Sequence, residues 1–287
     1  MVAAAFELGI WPRRRMVENV AERTRQAASA SAAGWGVSRQ ATWDTLRPPI
    51  GPQSETVFVL GSGPSIRELN NARFDHIGRH TSVALNSWLC HSNFVPSFIM
   101  AEMVTRRQWE PLERHASSSA LHAVLMTGFF GLQQGLRPSS SPVLPSVPDE
   151  LADKTYAYAT VPLLGRSRRG IRLYFDYLID VALSARQPIG PTSTSLERAI
   201  VMFALAGYRT IVLCGFDLRG PYWWQEPGDQ SDVPVVTDRH RVVAGPVSGR
   251  VPILARVLEQ RLGTSVQVGS PRVALAQYLA VYDAWDD

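Results

Sequence analysis

The sequence predicts an α/β fold: a single Rossmann-like domain with a mainly parallel sheet and helices on both faces. Short runs of consecutive apolar residues recur along the chain with helical stretches between them. Such runs are typical of strands that a parallel sheet buries on both faces. Glycines and polar residues follow several of these runs directly. In open parallel sheets, ligands bind at the edge where the strands end.

Six segments predict strands, because each is short, apolar and bounded by glycine or a polar residue. They are residues 56–60, 81–86, 97–102, 123–128, 210–215 and 265–269. Helical periodicity predicts helices over 171–184, 194–207 and 250–262, with an irregular loop over 219–246.

The length of 287 residues, with 45% hydrophobic and 19% charged residues, suits one large globular domain. Residues 1–55 predict a helical appendage that ends in a proline-rich linker. We expect residues 56–287 to form the Rossmann-like domain itself. A stretch rich in Gly, Ser and Pro predicts a lid within it at 131–170.

The charge balance favours a protein that binds small anions over one that binds nucleic acid. The formal net charge is only +4, and Lys154 is the single lysine among 29 basic residues, which is typical of a GC-rich genome. Cys90 and Cys214 provide neither a disulfide framework nor a zinc site. No apolar run approaches the length of a membrane span. We therefore expect a cytoplasmic protein. For residues 1–55, a basic amphipathic helix predicts peripheral association at the inner face of the membrane, and a packing arm or a mis-assigned start is the favoured alternative.

The first motif, Gly61-Ser62-Gly63-Pro64-Ser65, directly follows the first predicted strand. Its glycines allow the backbone to approach a ligand, and a helix N-terminus after it offers N–H groups to a phosphate. The motif lacks the third glycine of the dinucleotide fingerprint and the Gly-Lys-Ser/Thr of a P-loop. It predicts a nucleotide contact, and a tight turn of an ordinary α/β protein is the alternative.

Two further strands end in a polar side chain. Asn86 closes the second predicted strand and Glu102 closes the third. Their position at the carboxyl edge of the sheet predicts contacts with a ligand, for example with ribose or sugar hydroxyls. Capping of the next turn or helix is the alternative for both residues.

The third motif is a run of hydroxyl residues, Thr192, Ser193 and Thr194, before an amphipathic helix. One N-cap needs only one of these hydroxyls, so the run predicts a second anion site. The helix leads to a strand that ends in Gly215-Phe216-Asp217, which places Asp217 at the carboxyl edge as well.

Taken in order, these segments resemble bacterial sialyltransferases of the Campylobacter type (glycosyltransferase family 42-like). The resemblance covers roughly residues 56–285. It is carried by Gly-Ser-Gly-Pro-Ser, a strand ending in Asn86, and Thr-Ser before a helix that leads to Ala-Leu-Ala-Gly-Tyr-x-x-Ile-x-Leu-x-Gly-Phe-Asp. It implies a GT-A-like variant of the Rossmann fold, a CMP-sialic acid donor, inversion at the anomeric centre and no metal. The chain resembles the pterin pyrophosphokinase-like family more distantly.

The resemblance also implies roles for individual residues. Asp217 would order the nucleotide-binding loop, and a histidine would act as the base. His240 is the only histidine after residue 122, and Arg219, where the family has tyrosine, or Tyr222 would assist the departing phosphate. The predicted nucleotide-sugar contacts are Gly61, Ser62, Gly63, Pro64, Ser65, Asn86, Glu102, Thr192, Ser193, Thr194, Gly215 and Asp217.

The predicted function is an inverting, metal-independent glycosyltransferase that needs no cofactor. It would move an acidic sugar from a CMP-sugar to a glycan or lipid-linked acceptor, without nucleic acid as a partner, and a homo-oligomer is an open expectation. Two alternatives remain. One is a pterin pyrophosphokinase-like phosphotransferase, which needs Mg²⁺ and clustered carboxylates, for which only Glu102 and Asp217 are suitably placed. The other is a nucleotide-binding module without catalysis.

Overall fold

The fold is an α/β fold built on one sheet of eight parallel strands, as the sequence predicts. The computed structural model describes residues 15, 18–23, 26, 37, 39–47, 54–86, 88, 94–101, 112–127, 147–161, 167–191, 193–218 and 238–285. The strands are β1 (Thr56–Leu60), β2 (Thr81–Leu85), β3 (Phe98–Ala101), β4 (Ala123–Thr127), β5 (Thr155–Val161), β6 (Ile189–Pro191), β7 (Thr210–Cys214) and β8 (Ser265–Val268). The helices are α1 (Asn71–Gly78), α2 (Asp149–Ala152), α3 (Arg168–Ala185), α4 (Ser195–Leu205) and α5 (Asp238–Leu262).

The order of strands across the sheet is β6-β5-β4-β3-β2-β1-β7-β8. The chain therefore runs outward from β1 to β6 on one side and then returns to place β7 against the other side of β1. This reversal creates a topological switch point at the carboxyl ends of β1 and β7. Open parallel sheets bind ligands in the crevice at such a point, because the loops leave in opposite directions there.

Alternate residues of the strands supply two separate cores. In β1, Val57 and Val59 belong to the core under α3, α4 and α5, whereas Phe58 and Leu60 belong to a core on the opposite face. All four side chains are fully buried. Burial on both faces explains why the strands appear in the sequence as unbroken apolar runs.

An aromatic cluster near the C-terminus covers the sheet on the face opposite α4. Tyr282 and Trp285 pack on the Phe58 ring, with ring centroids at 5.4 and 5.6 Å. The buried His76 of α1 hydrogen-bonds to the Tyr282 hydroxyl at 3.0 Å. The last described residues therefore form part of this core.

Two strands, β5 and β6, were not predicted from the sequence. β5 lies inside the stretch predicted as a lid at 131–170, so that at least residues 155–161 belong to the sheet and the lid prediction is wrong for them. The alternation of tyrosine and alanine in β5 is a strand pattern, but the Pro- and Ser-rich sequence before it indicated a loop. β6 has three residues, which is too short for periodicity to detect.

The start of the last long helix was also predicted wrongly. α5 begins at residue 238, within the predicted irregular loop 219–246, and continues through the predicted helix 250–262. Gly245 and Pro246 indicated a loop there, because both residues disfavour a helix interior. The predicted helices at 171–184 and 194–207 are confirmed as α3 and α4.

Part of the predicted appendage at 1–55 packs against the domain. The Ala41 N–H donates to the Ala157 carbonyl at 2.8 Å, and the Ala157 N–H donates to the Arg39 carbonyl at 3.0 Å. Leu46 is fully buried in the same core as α4. Residues 39–47 therefore belong to the domain, so that the predicted boundary at residue 55 is too late. Among the described residues, no helix combines the length and apolar character needed to cross a membrane.

We expect the free energy of unfolding to decrease between pH 7 and pH 5. Burial lowers the pKa of His80, His115 and His122 below 6.5. The unfolded chain therefore takes up protons in this range before the folded chain does, and stability present above pH 6.5 is lost as the pH falls. Urea unfolding at several pH values measures this slope. The variant His80→Gln is expected to flatten it, and a midpoint that stays constant from pH 7 to pH 5 would contradict the prediction.

Candidate functional site

The structure places the Gly61–Ser65 turn and the Gly215–Asp217 loop side by side at the switch point. Gly61 follows β1 and Gly215 follows β7, and β1 and β7 are hydrogen-bonded neighbours. The Gly61 N–H donates to the Cys214 carbonyl at 2.7 Å, and the Gly63 N–H donates to the Gly215 carbonyl at 2.8 Å. The two segments thus continue the pairing of their strands beyond the edge of the sheet.

The glycines of the turn are required by this contact between the two loops. A Cβ atom on Gly61 would lie 2.6 Å from the Gly215 carbonyl oxygen and 2.8 Å from the Phe216 ring. A Cβ atom on Gly63 would collide with the Asp217 carboxylate and lie 2.7 Å from the same carbonyl. Gly215 itself has a φ of 75°, which favours glycine. The sequence interpretation assigned these glycines to the approach of a ligand, but packing within the chain already requires them.

Asp217 holds the turn in place. Its Oδ2 atom accepts hydrogen bonds from the Ser65 backbone N–H at 3.1 Å and from the Ser65 hydroxyl at 2.8 Å. A carboxylate of the chain therefore occupies the start of the short 3-10 helix Pro64–Glu68, where the sequence predicted N–H groups open to a phosphate. Within the Gly61–Ser65 turn, only the partly exposed Ser62 has an N–H and a hydroxyl without a hydrogen bond to another described residue.

Asn86 connects the end of β2 to the start of α4. Its Nδ2 atom donates to the Ser195 hydroxyl oxygen at 3.0 Å, and its φ of 46° turns the chain sharply after the strand. Asparagine enters this left-handed region more readily than most residues, which explains its position here. Leu218, just after Asp217, has a φ of 58°, an unusual conformation for a bulky side chain. Both strained residues flank the end of β1.

The hydroxyls before α4 point to a carboxylate that the sequence analysis did not single out. Thr194 is the N-cap and accepts from the Glu197 N–H at 3.2 Å. The Ser193 and Thr194 hydroxyls both donate to Oε2 of Glu197, which is fully buried. These two hydroxyl hydrogens are therefore used inside the protein. The Thr-x-x-Glu spacing of a capping box could have identified Glu197.

Arg250 of α5 balances the charge of Glu197. Its Nε atom lies 2.6 Å from Oε1 of Glu197 and its Nη2 atom lies 3.5 Å from Oε2. The Arg250 side chain keeps 15% of its surface exposed, whereas Glu197 keeps none. Burial, and next the charge of Glu197, raise the pKa of the neighbouring Tyr174 well above its usual range. No local pattern predicts this pair, because its members lie 53 residues apart.

A second arginine, Arg198 of α4, is fully enclosed. Arg198 is 1% exposed, and its Nε donates to the Pro191 carbonyl at 3.0 Å. A Cβ atom on Gly190 would lie 2.7 Å from Cγ of Arg198. Glycine at position 190 therefore makes room for this side chain against β6.

Some predicted site residues lie outside the described part of the chain, namely Glu102, Thr192, Arg219 and Tyr222. The backbone of His240 belongs to the first turn of α5, while its side chain is outside the description. Cys214 ends β7, and burial raises the pKa of its thiol to about 12, which disfavours the thiolate form.

The described histidine side chains are not part of this site. His80 contacts Ser54, just before β1, at 2.5 Å, and His115 and His122 precede β4. These positions belong to the amino edge of the sheet, whereas His76 is enclosed in the aromatic cluster. By contrast, the next described element after β7 is α5, and its first turn contains the backbone of His240.

The chain is similar in structure to two sialyltransferases from Campylobacter jejuni. One is CstII in complex with the substrate analogue CMP-3FNeuAc, at 12% identity, 81% coverage of this chain, 88% coverage of that chain and a TM-score of 0.44. The other is the monofunctional α-2,3-sialyltransferase Cst-I, at 12% identity, 83% and 84% coverage, and a TM-score of 0.44.

A third similar structure is the Maf glycosyltransferase from Magnetospirillum magneticum AMB-1. Its identity to this chain is 16% and the TM-score is 0.45. The similarity covers 94% of this chain and 40% of that chain. Neither a protein-family model nor a curated protein matches the sequence.

Substitution of Gly63 tests the contact between the two loops. We expect Gly63→Ala to reduce the free energy of unfolding by roughly 2–4 kcal/mol, because the new methyl group collides with Asp217 and displaces it from Ser65. Gly249→Ala is the matched control, since Gly249 lies exposed in α5 with nothing within 4 Å of its added Cβ. The control is expected to stabilise by about 0.5–1 kcal/mol through helix propensity. Urea unfolding measures both, and equal effects of the two substitutions would contradict this account.

Proposed function

We propose that this protein is an inverting glycosyltransferase that transfers an acidic sugar from a CMP-sugar to a glycan or lipid-linked acceptor. The observation that carries the proposal is the convergence of three sequence motifs at one edge of the sheet. The Gly61–Ser65 turn, Asn86 and the start of α4 all lie at or beside the switch point between β1 and β7. Nucleotide ligands bind at this position in open α/β sheets.

The described residues limit how the nucleotide is held. Because Asp217 occupies the Ser65 N–H, the turn binds the nucleotide through Ser62 and through its backbone surface. Asn86 contacts the ribose or the phosphate from the adjacent strand. A role for Asp217 as a metal ligand is not needed, and the proposed reaction proceeds without a metal because CMP is already a good leaving group.

The chemistry requires two further groups. Arg219 or Tyr222, in the segment after β7, stabilises the charge that develops on the departing phosphate. His240, on the first turn of α5, removes the proton from the acceptor hydroxyl, because histidine is a residue type that accepts a proton close to neutral pH. Peripheral membrane association, a cytoplasmic location and a homo-oligomer stay predictions.

Ligand-induced stabilisation tests the donor class. We expect CMP and CDP to raise the melting temperature without added metal, because a ligand that binds only the folded chain stabilises it by about 2.7 kcal/mol at 100 times its Kd. NAD and GTP serve as controls in the same assay. A response to ATP with Mg²⁺ alone would instead favour the phosphotransferase.

Substitution of His240 tests the base. We expect His240→Gln to reduce the rate of sugar transfer by roughly 10²–10⁴-fold, while the affinity for CMP stays within threefold. The matched control is His115→Gln, because His115 lies at the opposite edge of the sheet. Unchanged turnover of His240→Gln in a transfer assay would exclude His240 as the base.

A further inference from the structure

The guanidinium group of Arg250 has one edge in use and one edge open. Glu197 takes the side-on edge, formed by Nε and Nη2. A guanidinium has five N–H donors in a fixed plane, and its end-on edge, formed by Nη1 and Nη2, can bind a second carboxylate with two hydrogen bonds. Among the described residues, no acceptor other than Glu197 bonds to Arg250. Within the described part of the chain, this edge therefore has donors that are available to an anion.

Glu197 is fixed more firmly than an ordinary salt-bridge partner. Its carboxylate is fully buried and accepts from the Ser193 hydroxyl, the Thr194 hydroxyl and Arg250, while its own N–H bonds to Thr194. A buried carboxylate that is held by several donors cannot change its rotamer without losing them. Glu197 thus fixes the plane of the Arg250 guanidinium group. The Arg250 side chain keeps 15% of its surface exposed, which leaves access for a small ligand.

The Glu197–Arg250 pair also lies at the edge of the sheet where the proposed nucleotide site lies. Glu197 lies in the first turn of α4, three residues after the N-cap Thr194. The first residue of that helix, Ser195, hydrogen-bonds to Asn86 at the end of β2, beside the switch point. The open edge of Arg250 therefore belongs to the same edge of the sheet as the proposed nucleotide site.

We propose that Arg250 binds the carboxylate of the acidic donor sugar and that Glu197 is the positioning residue that orients it. This inference rests on the proposed function, since it names the part of the donor that Arg250 recognises. A neutral sugar lacks the group that the open edge would bind. The pair therefore selects acidic over neutral sugars, because a guanidinium covered by a sugar without a carboxylate would lose its hydrogen bonds to water.

Calorimetric titration of the full chain with two probes, CMP and CMP-N-acetylneuraminic acid, tests the proposal. We expect Arg250→Gln to weaken binding of the CMP-sugar by roughly 10–100-fold and binding of CMP by less than threefold. Arg250→Lys keeps the charge but loses the fork, and we expect an intermediate loss. Glu197→Gln is also expected to weaken binding of the CMP-sugar more than binding of CMP, although Glu197 does not contact the sugar. Arg256→Gln, an exposed arginine on the same helix, is the control.

The outcomes separate this inference from the function on which it rests. If the unsubstituted chain binds neither probe, the proposed function fails and the inference fails with it. If the chain binds both probes but Arg250→Gln weakens them equally, Arg250 serves the phosphate or the fold and the inference alone is overturned. An unchanged affinity ratio in Arg250→Lys overturns it in the same way, which keeps the test valid if the glutamine variant does not fold.

Discussion

Asp217 joins the loop after β7 to the turn after β1, and the arrangement of the candidate site depends on this contact. Because β1 and β7 are adjacent, the residues that directly follow the two strands lie side by side and in contact before the loops diverge. Gly61 and Gly63 allow that approach, and the carboxylate fixes it through the N–H and hydroxyl of Ser65. Contacts within the chain thus hold the two loops at the switch point in place without a ligand.

This contact changes how the site can attract an anion. A helix start normally offers its N–H groups and positive dipole to a phosphate. Here the Asp217 carboxylate takes that position, which satisfies the Ser65 donors and offsets the partial positive charge of the helix start. The donors left for a phosphate or carboxylate are those of Ser62 and of nearby side chains, and Arg250 is a described cation with unused donors beside this edge.

Burying the Glu197–Arg250 ion pair costs desolvation free energy. Its position beside the candidate site explains why an ion pair is found there. Removing a carboxylate from water costs several kcal/mol, and a buried ion pair seldom stabilises more than apolar residues of the same volume would. An apolar pair could join α4 to α5 equally well, but it would present no oriented donors. The hydroxyls of Ser193 and Thr194 reduce the cost, because they supply hydrogen bonds to the buried oxygen atoms.

The fold class, six of the eight described strands and the edge at which the motifs gather could be predicted from local signals, namely apolar runs and the residues that follow them. The strand order, the strands β5 and β6, and the hydrogen-bond partners of the motifs depend on contacts that form only when the chain folds. Ser65 and Asp217 are 152 residues apart, and Glu197 and Arg250 are 53 residues apart. A local pattern shows that a residue is polar and where its strand ends, but the chain must fold before its hydrogen bonds to distant residues are fixed.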